Sequence, residues 1–277
     1  MISDGGIRPL TSLSWAAAPL VAVLLAPGCA SALKPPPSLD ALVAGDASGP
    51  ESVDGLLQEA RIEYASRIRE NVRRARNLWL QAAAADGSRI EGLLGAARSS
   101  AWLADHEEDK AMRLEAAQVA VQSGQLCAQA VPGDPACAYW LGVGLGLQAM
   151  ERRSTALDAL PRIEKAFLRA AADAPEMEQG GADRALTMLY ARAPGWPTGP
   201  GDPDLALEHA RKAVAIDGTY PPNLLALGEA LAATGDDGGS RATYEEALTL
   251  ARQWSARGDP DAPDWIRDAE SALAGSD

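Results

Sequence analysis

"NLLALGEALAATGDDGGSRATYEEAL" (Asn223 to Leu248) decides the fold. Its apolar residues return every three or four positions, the period of a helix with one buried face. Leu224, Leu227, Gly228 and Leu231 share the first such face, and Ser240, Tyr244 and Ala247 share the second. Gly235-Asp236 between them is a turn signal. Two antiparallel helices are expected, with small residues where they approach and a large one filling the gap.

The same order recurs upstream. Trp140-x2-Val143-Gly144-x2-Leu147 is followed by Ile163-x3-Phe167-x2-Ala170-x4-Pro175. Leu186-Thr187-x2-Tyr190 is followed by Gly201-Asp202 and then Ala206-x3-Ala210-x2-Ala213. Ala210 and Tyr244 stand 34 residues apart, the period of tetratricopeptide (TPR) repeats, which this pattern resembles. Ser240 replaces the usual Ala, and no Pro closes the last unit. Gly144 to Phe167 and Thr187 to Ala210 each span 23 residues, against 16 from Gly228 to Tyr244. Seven extra residues are therefore expected at the helix–helix turn of each earlier unit.

The same periodicity gives helices over 52–85, 88–104, 109–131, 136–151, 155–173, 181–192, 203–216, 222–234, 239–256 and 261–274. Sustained two-residue alternation is missing beyond residue 50, so the chain reads as all-α. A fourth, stretched unit is expected over 88–135, with Cys127 and Ala130 facing its partner helix. The long helix 52–85, carrying Trp79 and Ala82, would cap the array. The expected architecture is a TPR-like α-solenoid of antiparallel helix pairs over 51–277, after a signal (1–28) and a flexible tether (29–50).

The N-terminus carries an export signal by its pattern. "WAAAPLVAVLLAP" (Trp15 to Pro27) is uncharged and thirteen residues long. A membrane-spanning helix needs about 20 residues, so this length fits the hydrophobic region of a secretory signal. "APG" before Cys29 resembles the lipobox of bacterial lipoproteins, although Ala26 and Pro27 depart from the usual Leu and Ala/Ser. Lipidation of Cys29, by a diacylglyceryl group and an amide-linked acyl chain, would anchor the mature chain stably, where a single chain is marginal. Ala30 after the cysteine favours the outer membrane, by resemblance to lipoproteins. The rival cleavage site is Ala30-Ser31-Ala32, which would release a soluble periplasmic protein. "KPPPSLDALVAGDASGPES" reads as the tether, stiffened at its start by proline.

A formal charge of −13 argues against nucleic acid as a partner. Besides Cys29 the chain has Cys127 and Cys137, flanking the turn Pro132-Gly133-Asp134-Pro135. A helical hairpin would bring them together, and an oxidising compartment would let them bond. Two buried free thiols are the alternative.

"CAYWLGVGLGLQAMERRSTALDALPRIEKAFLRAAADAPE" and the block Gly180 to Leu231 resemble the T-component (TatT) family of TRAP transporters, periplasmic TPR lipoproteins. The matching features are Tyr139-Trp140, Pro161-Arg162-Ile163, "GGADRALTMLY", "APGWP" followed by "GD", and Tyr220-Pro221-x-Asn223. The resemblance covers about 100–230. It implies a scaffold that associates with the periplasmic substrate-binding protein of a TRAP-type uptake system and has a ligand-accessible pore or groove. A generic envelope TPR lipoprotein, acting in outer-membrane or peptidoglycan assembly, is the alternative. A homo-oligomer is also open.

No catalytic, cofactor or metal site is expected. Gly142-x-Gly144-x-Gly146 follows no strand and has no P-loop lysine, so helix packing explains it better than a nucleotide. His106 in "ADHEEDK" reads as a solvated turn, and His209 in "ALEHARKAV" as an exposed helical position. Trp140, Phe167, Tyr190 and Tyr244 are expected in the core. Trp196, between Pro194 and Pro197 in an extra turn, has two readings. It either lines a groove or partner interface, or folds back onto its own helices.

Overall fold

The computed structural model describes residues 33–43 and 52–275. The expected signal, Cys29 and half of the expected tether lie outside the described residues. The chain forms α1 (Leu39–Leu42), α2 (Val53–Ala65), α3 (Arg69–Ala85) and α4 (Glu91–His106). These are followed by α5 (Lys110–Ala130), α6 (Pro135–Glu151), α7 (Arg153–Asp173) and α8 (Gly181–Arg192). The last four are α9 (Pro203–Ile216), α10 (Pro221–Ala233), α11 (Asp237–Ala256) and α12 (Ala262–Ala274). No strand occurs among the described residues.

From α2 onward the helices pack in consecutive pairs, and each pair packs on the next. The first helices of neighbouring pairs also touch, α4 with α6 and α8 with α10, while α12 closes the stack. Local chemistry sets the starts. Asp134 accepts from the Ala136 and Cys137 amides at 2.8 and 3.0 Å, with Pro135 in the first turn. Asp202 does the same for α9, ahead of Pro203. An acidic cap followed by proline satisfies free N–H groups with a residue that has none to lose.

A core runs through the stack from Ala97 to Ala230. Trp140, Phe167 and Tyr190 belong to it, and Tyr244 is buried as well. In the last pair a Cβ on Gly228 would meet the Tyr244 ring at 2.6 Å, the small-against-large contact that the spacing predicts. In the α6/α7 pair the register differs. The glycine under Phe167 is Gly142, while Gly144 turns toward Val121 of α5.

Three further expectations change. The helix expected over 52–85 is two helices, broken at 66–68, and they form a pair rather than a single cap. Arg67 sits there with φ 51°, an uncommon conformation for a non-glycine residue. Its guanidinium donates to the Tyr64 carbonyl and, through Nε and Nη2, to Asp261 at 2.6 and 3.0 Å. The seven extra residues of the α6/α7 unit are not in a turn, since only Arg152 separates these helices; they lengthen the helices. In the α8/α9 unit they do form a loop, 193–202.

Part of the expected tether lies on the body. Leu39, Leu42 and Val43 are partly buried against the α2–α3 cluster. Gln125 Nε2 donates to the Lys34 carbonyl at 2.8 Å. These apolar side chains give a proline-stiffened segment enough surface to dock.

Cys127 in the last turn of α5 and Cys137 in the first turn of α6 form a disulfide, with Cα atoms 5.3 Å apart. It closes a loop of sequence separation 10. Reducing it is expected to lower the unfolding free energy by about 2–3 kcal/mol in the chain-entropy model, measured as a shift of the denaturant midpoint.

Candidate functional site

The first helices of the pairs line a concave groove of about 800 Å³. On α8 it takes Gly181, Arg184, Ala185, Met188 and Arg192, and on α10 Pro222, Leu225, Ala226 and Glu229. Both sets are spaced by three and four, so each is one face of its helix. Trp102 and His106 enter from α4, and Trp265 and Asp268 from α12.

The groove wall is fixed by polar contacts. Arg192 forks onto Glu229 at 2.5 and 2.7 Å, bridging α8 to α10. Arg184 donates to Asn223 Oδ1 at 2.8 Å and to the carbonyls of Glu178 and Gln179. Tyr220, Trp254 and Trp265 pack edge to face, with centroids 5.3 to 5.9 Å apart. Aromatic edges against faces hold α12 onto the preceding pair. Burial pushes the Tyr220 hydroxyl up to about 12, so it stays a neutral donor. Burial also raises the Asp268 carboxyl, with Arg267 opposing and Asp105 and Asp264 adding to the rise.

α12 also meets the start of the array. His106 Nε2 lies 2.7 Å from Asp264 Oδ2, and Arg67 pairs with Asp261 just before α12 begins. These contacts draw the first and last pairs together around the groove.

The sequence readings of both histidines are corrected. His106 is held against Trp102, rings stacked with centroids 3.8 Å apart, rather than solvated in a turn. His209 is buried, and its Nδ1–H donates to the buried Asp183 Oδ1 at 2.7 Å. That places it in the joint between α8 and α9, where an unpaired carboxylate would be costly.

Trp196 does not fold back onto its own helices, being 90% exposed, and it stands outside the groove lining, which leaves an exposed aromatic for the partner-interface reading. Its loop is folded by its own backbone, with the Gly201 amide donating to the Pro194 carbonyl at 2.9 Å. Trp196→Ala is therefore expected to change stability by less than about 0.5 kcal/mol, leaving the melting temperature in place.

No family model matches this chain, and no curated protein matches it. Among solved structures it is similar to a thermophilic TPR protein of Thermus thermophilus, with a TM-score of 0.60 and 18% identity. That match covers 80% of this chain and 100% of the other. The chain has a TPR-like fold. A MamA structure matches with a TM-score of 0.45 and 15% identity over 74% of this chain and 94% of its own. YrrB, described as a TPR protein with an unusual peptide-binding site, gives 0.42 and 15% over 72% and 87%.

Proposed function

We infer that this protein is a scaffold whose groove receives a segment of a partner protein, and that the partner is the substrate-binding protein of a TRAP-type uptake system. The observation that carries the scaffold reading is the groove itself. One face of α8 and one face of α10 supply Met188, Leu225 and Ala226 between charged residues, the mixture a TPR concave face offers to a partner segment. The T-component reading rests on the resemblance over about 100–230 and on Asn223 and Tyr220, which the structure uses in the groove wall.

In this reading the chain works in the cell envelope, exported by residues 1–28 and anchored through Cys29 at the outer membrane. The bonded Cys127 and Cys137 suit an oxidising compartment. A catalytic role is not proposed.

Affinity purification of the tagged protein from native membranes tests both levels. Wild type and Trp196→Ala are expected to bring down a substrate-binding protein. Met188→Glu, which places a charge on the groove wall, is expected to lose it. Retention by Met188→Glu would end the groove reading. Recovery of outer-membrane or peptidoglycan assembly proteins instead would end the transporter reading and leave the scaffold standing.

A further inference from the structure

We propose that the outer face of α7, together with the 193–202 loop, lies against an anionic lipid surface. The inference rests on the reading that Cys29 is lipidated, and its test separates the two.

The reach of the chain gives the first argument. Leu33 packs against the main core, and Gln125 Nε2 holds the Lys34 carbonyl at 2.8 Å. Lys34 and Pro35 share a small cleft with Gln148 and Arg152, at the end of α6 where α7 begins. Cys29 stands four positions before Leu33. An extended chain spans about 3.5 Å per residue, so a lipid on Cys29 is tied within about 14 Å of Leu33. The part of the body beside the start of α7 is therefore held at the membrane when the anchor is seated.

The surface there fits that neighbour. Leu157 and Leu168 of α7 lie on one stripe, three helical turns apart, and are 55% and 44% exposed. Pro161, also exposed, lies on the same stripe between them. A Cβ on Gly199 would lie 3.1 Å from Leu160 Cδ1, so the 193–202 loop flanks this stripe. The loop presents Trp196, a side chain suited to a membrane–water boundary. On the other side of the stripe stand Arg162, Lys165 and Arg169, all exposed. Arg162 and Arg169 have only exposed carboxylates one turn along, Asp158 at 3.9 Å and Asp173 at 3.4 Å. α7 carries four basic and three acidic residues, a net +1 in a chain of −13. Apolar side chains bordered by cations are what an anionic headgroup layer takes up. No residue of α7 lines the groove, so seating this face leaves the groove open to a partner.

Tryptophan quenching tests the contact in the full chain expressed with its own signal. The vesicles are phosphatidylglycerol and phosphatidylcholine with brominated acyl chains, which quench an indole seated among them. The wild type is expected to float with the vesicles and to lose part of its emission. Trp196→Phe is expected to float equally and to lose almost none. Leu157→Asp, a change at an exposed position, is expected to float and to abolish the quenching of Trp196. Flotation of the wild type without quenching, or equal quenching in Trp196→Phe, would overturn the proposal and leave the anchor standing. Full quenching in Leu157→Asp would remove α7 from the contact. Equal quenching on phosphatidylcholine alone would remove the role given to its cations. A chain that stays in solution and begins after Ala32 would end the anchored reading and this proposal together.

Discussion

Asn223→Ala is expected to destabilise the protein by about 4 kcal/mol, seen as a fall of about 10 °C in melting temperature. Asn223 is fully buried, at 0% exposure. Its two Nδ2 hydrogens are shared among the carbonyls of Gln179, Ala213 and Asp217, 2.9, 3.0 and 2.9 Å away, and its Oδ1 accepts from Arg184. One amide thus ties the α8 entry, the α9 exit and the α10 start into a single joint. The turn it holds is a conformation the chain would not choose alone. Glu178, Gln179 and Gly180 have φ of 50°, 50° and 80°, and each left-handed non-glycine residue costs about 1–2 kcal/mol. Truncation leaves acceptors without donors and removes what holds that turn, and the two losses add. Asn223→Asp discriminates the parts. It keeps the acceptor for Arg184 but sets a carboxylate against three carbonyls, so it should be no more stable than the alanine variant. Recovery of stability by Asp would show that the Arg184 contact dominates.

Adding one carbon at Gly144 and at Gly146 should give effects of opposite sign. A Cβ at Gly144 would lie 2.7 Å from Val121 N and 2.9 Å from Ala120 C, both backbone atoms of α5. A Cβ on Gly124 would make the reciprocal approach, 2.7 Å from Leu141 Cα. Neither side can yield by rotating a side chain, and the disulfide holds the same two helices together. Gly144→Ala should therefore cost about 2–3 kcal/mol by forcing the helices apart. Gly146, two residues on, meets nothing within 4 Å. Alanine there should stabilise α6 by about 0.5–1 kcal/mol, because glycine loses more backbone freedom in a helix. Chemical denaturation of both variants measures the pair. If both lose stability equally, close approach at Gly144 is not the reason for glycine in this stretch.

The repeats were legible because their signal is local. Gly228 and Tyr244 are separated by one turn of chain, and their spacing alone puts them in contact. The groove face was present in the same helices, since Leu225 and Glu229 flank the repeat residues at helical spacing. The closure of the array was not legible. His106 and Asp264 are 158 residues apart and Arg67 and Asp261 are 194 apart. Their meeting depends on rotations summed over every pair between them, to which no short motif points. The break between α2 and α3 was hidden for the same reason. Ser66-Arg67-Ile68 contains no glycine or proline, and the left-handed Arg67 is held by a partner from the far end of the chain. The buried His209–Asp183 pair escaped because a histidine in a polar helical context reads as surface until its neighbouring helix is placed.

The bond between Cys127 and Cys137 spans a connection, 131–134, between the second helix of one pair and the first helix of the next. Stacked repeats are prone to exchange: a linker straightens, and one molecule's later helices settle on another's earlier ones. That event needs the linker to open. Here it is covalently shut, so two molecules cannot trade halves at this seam while the sulfurs stay joined.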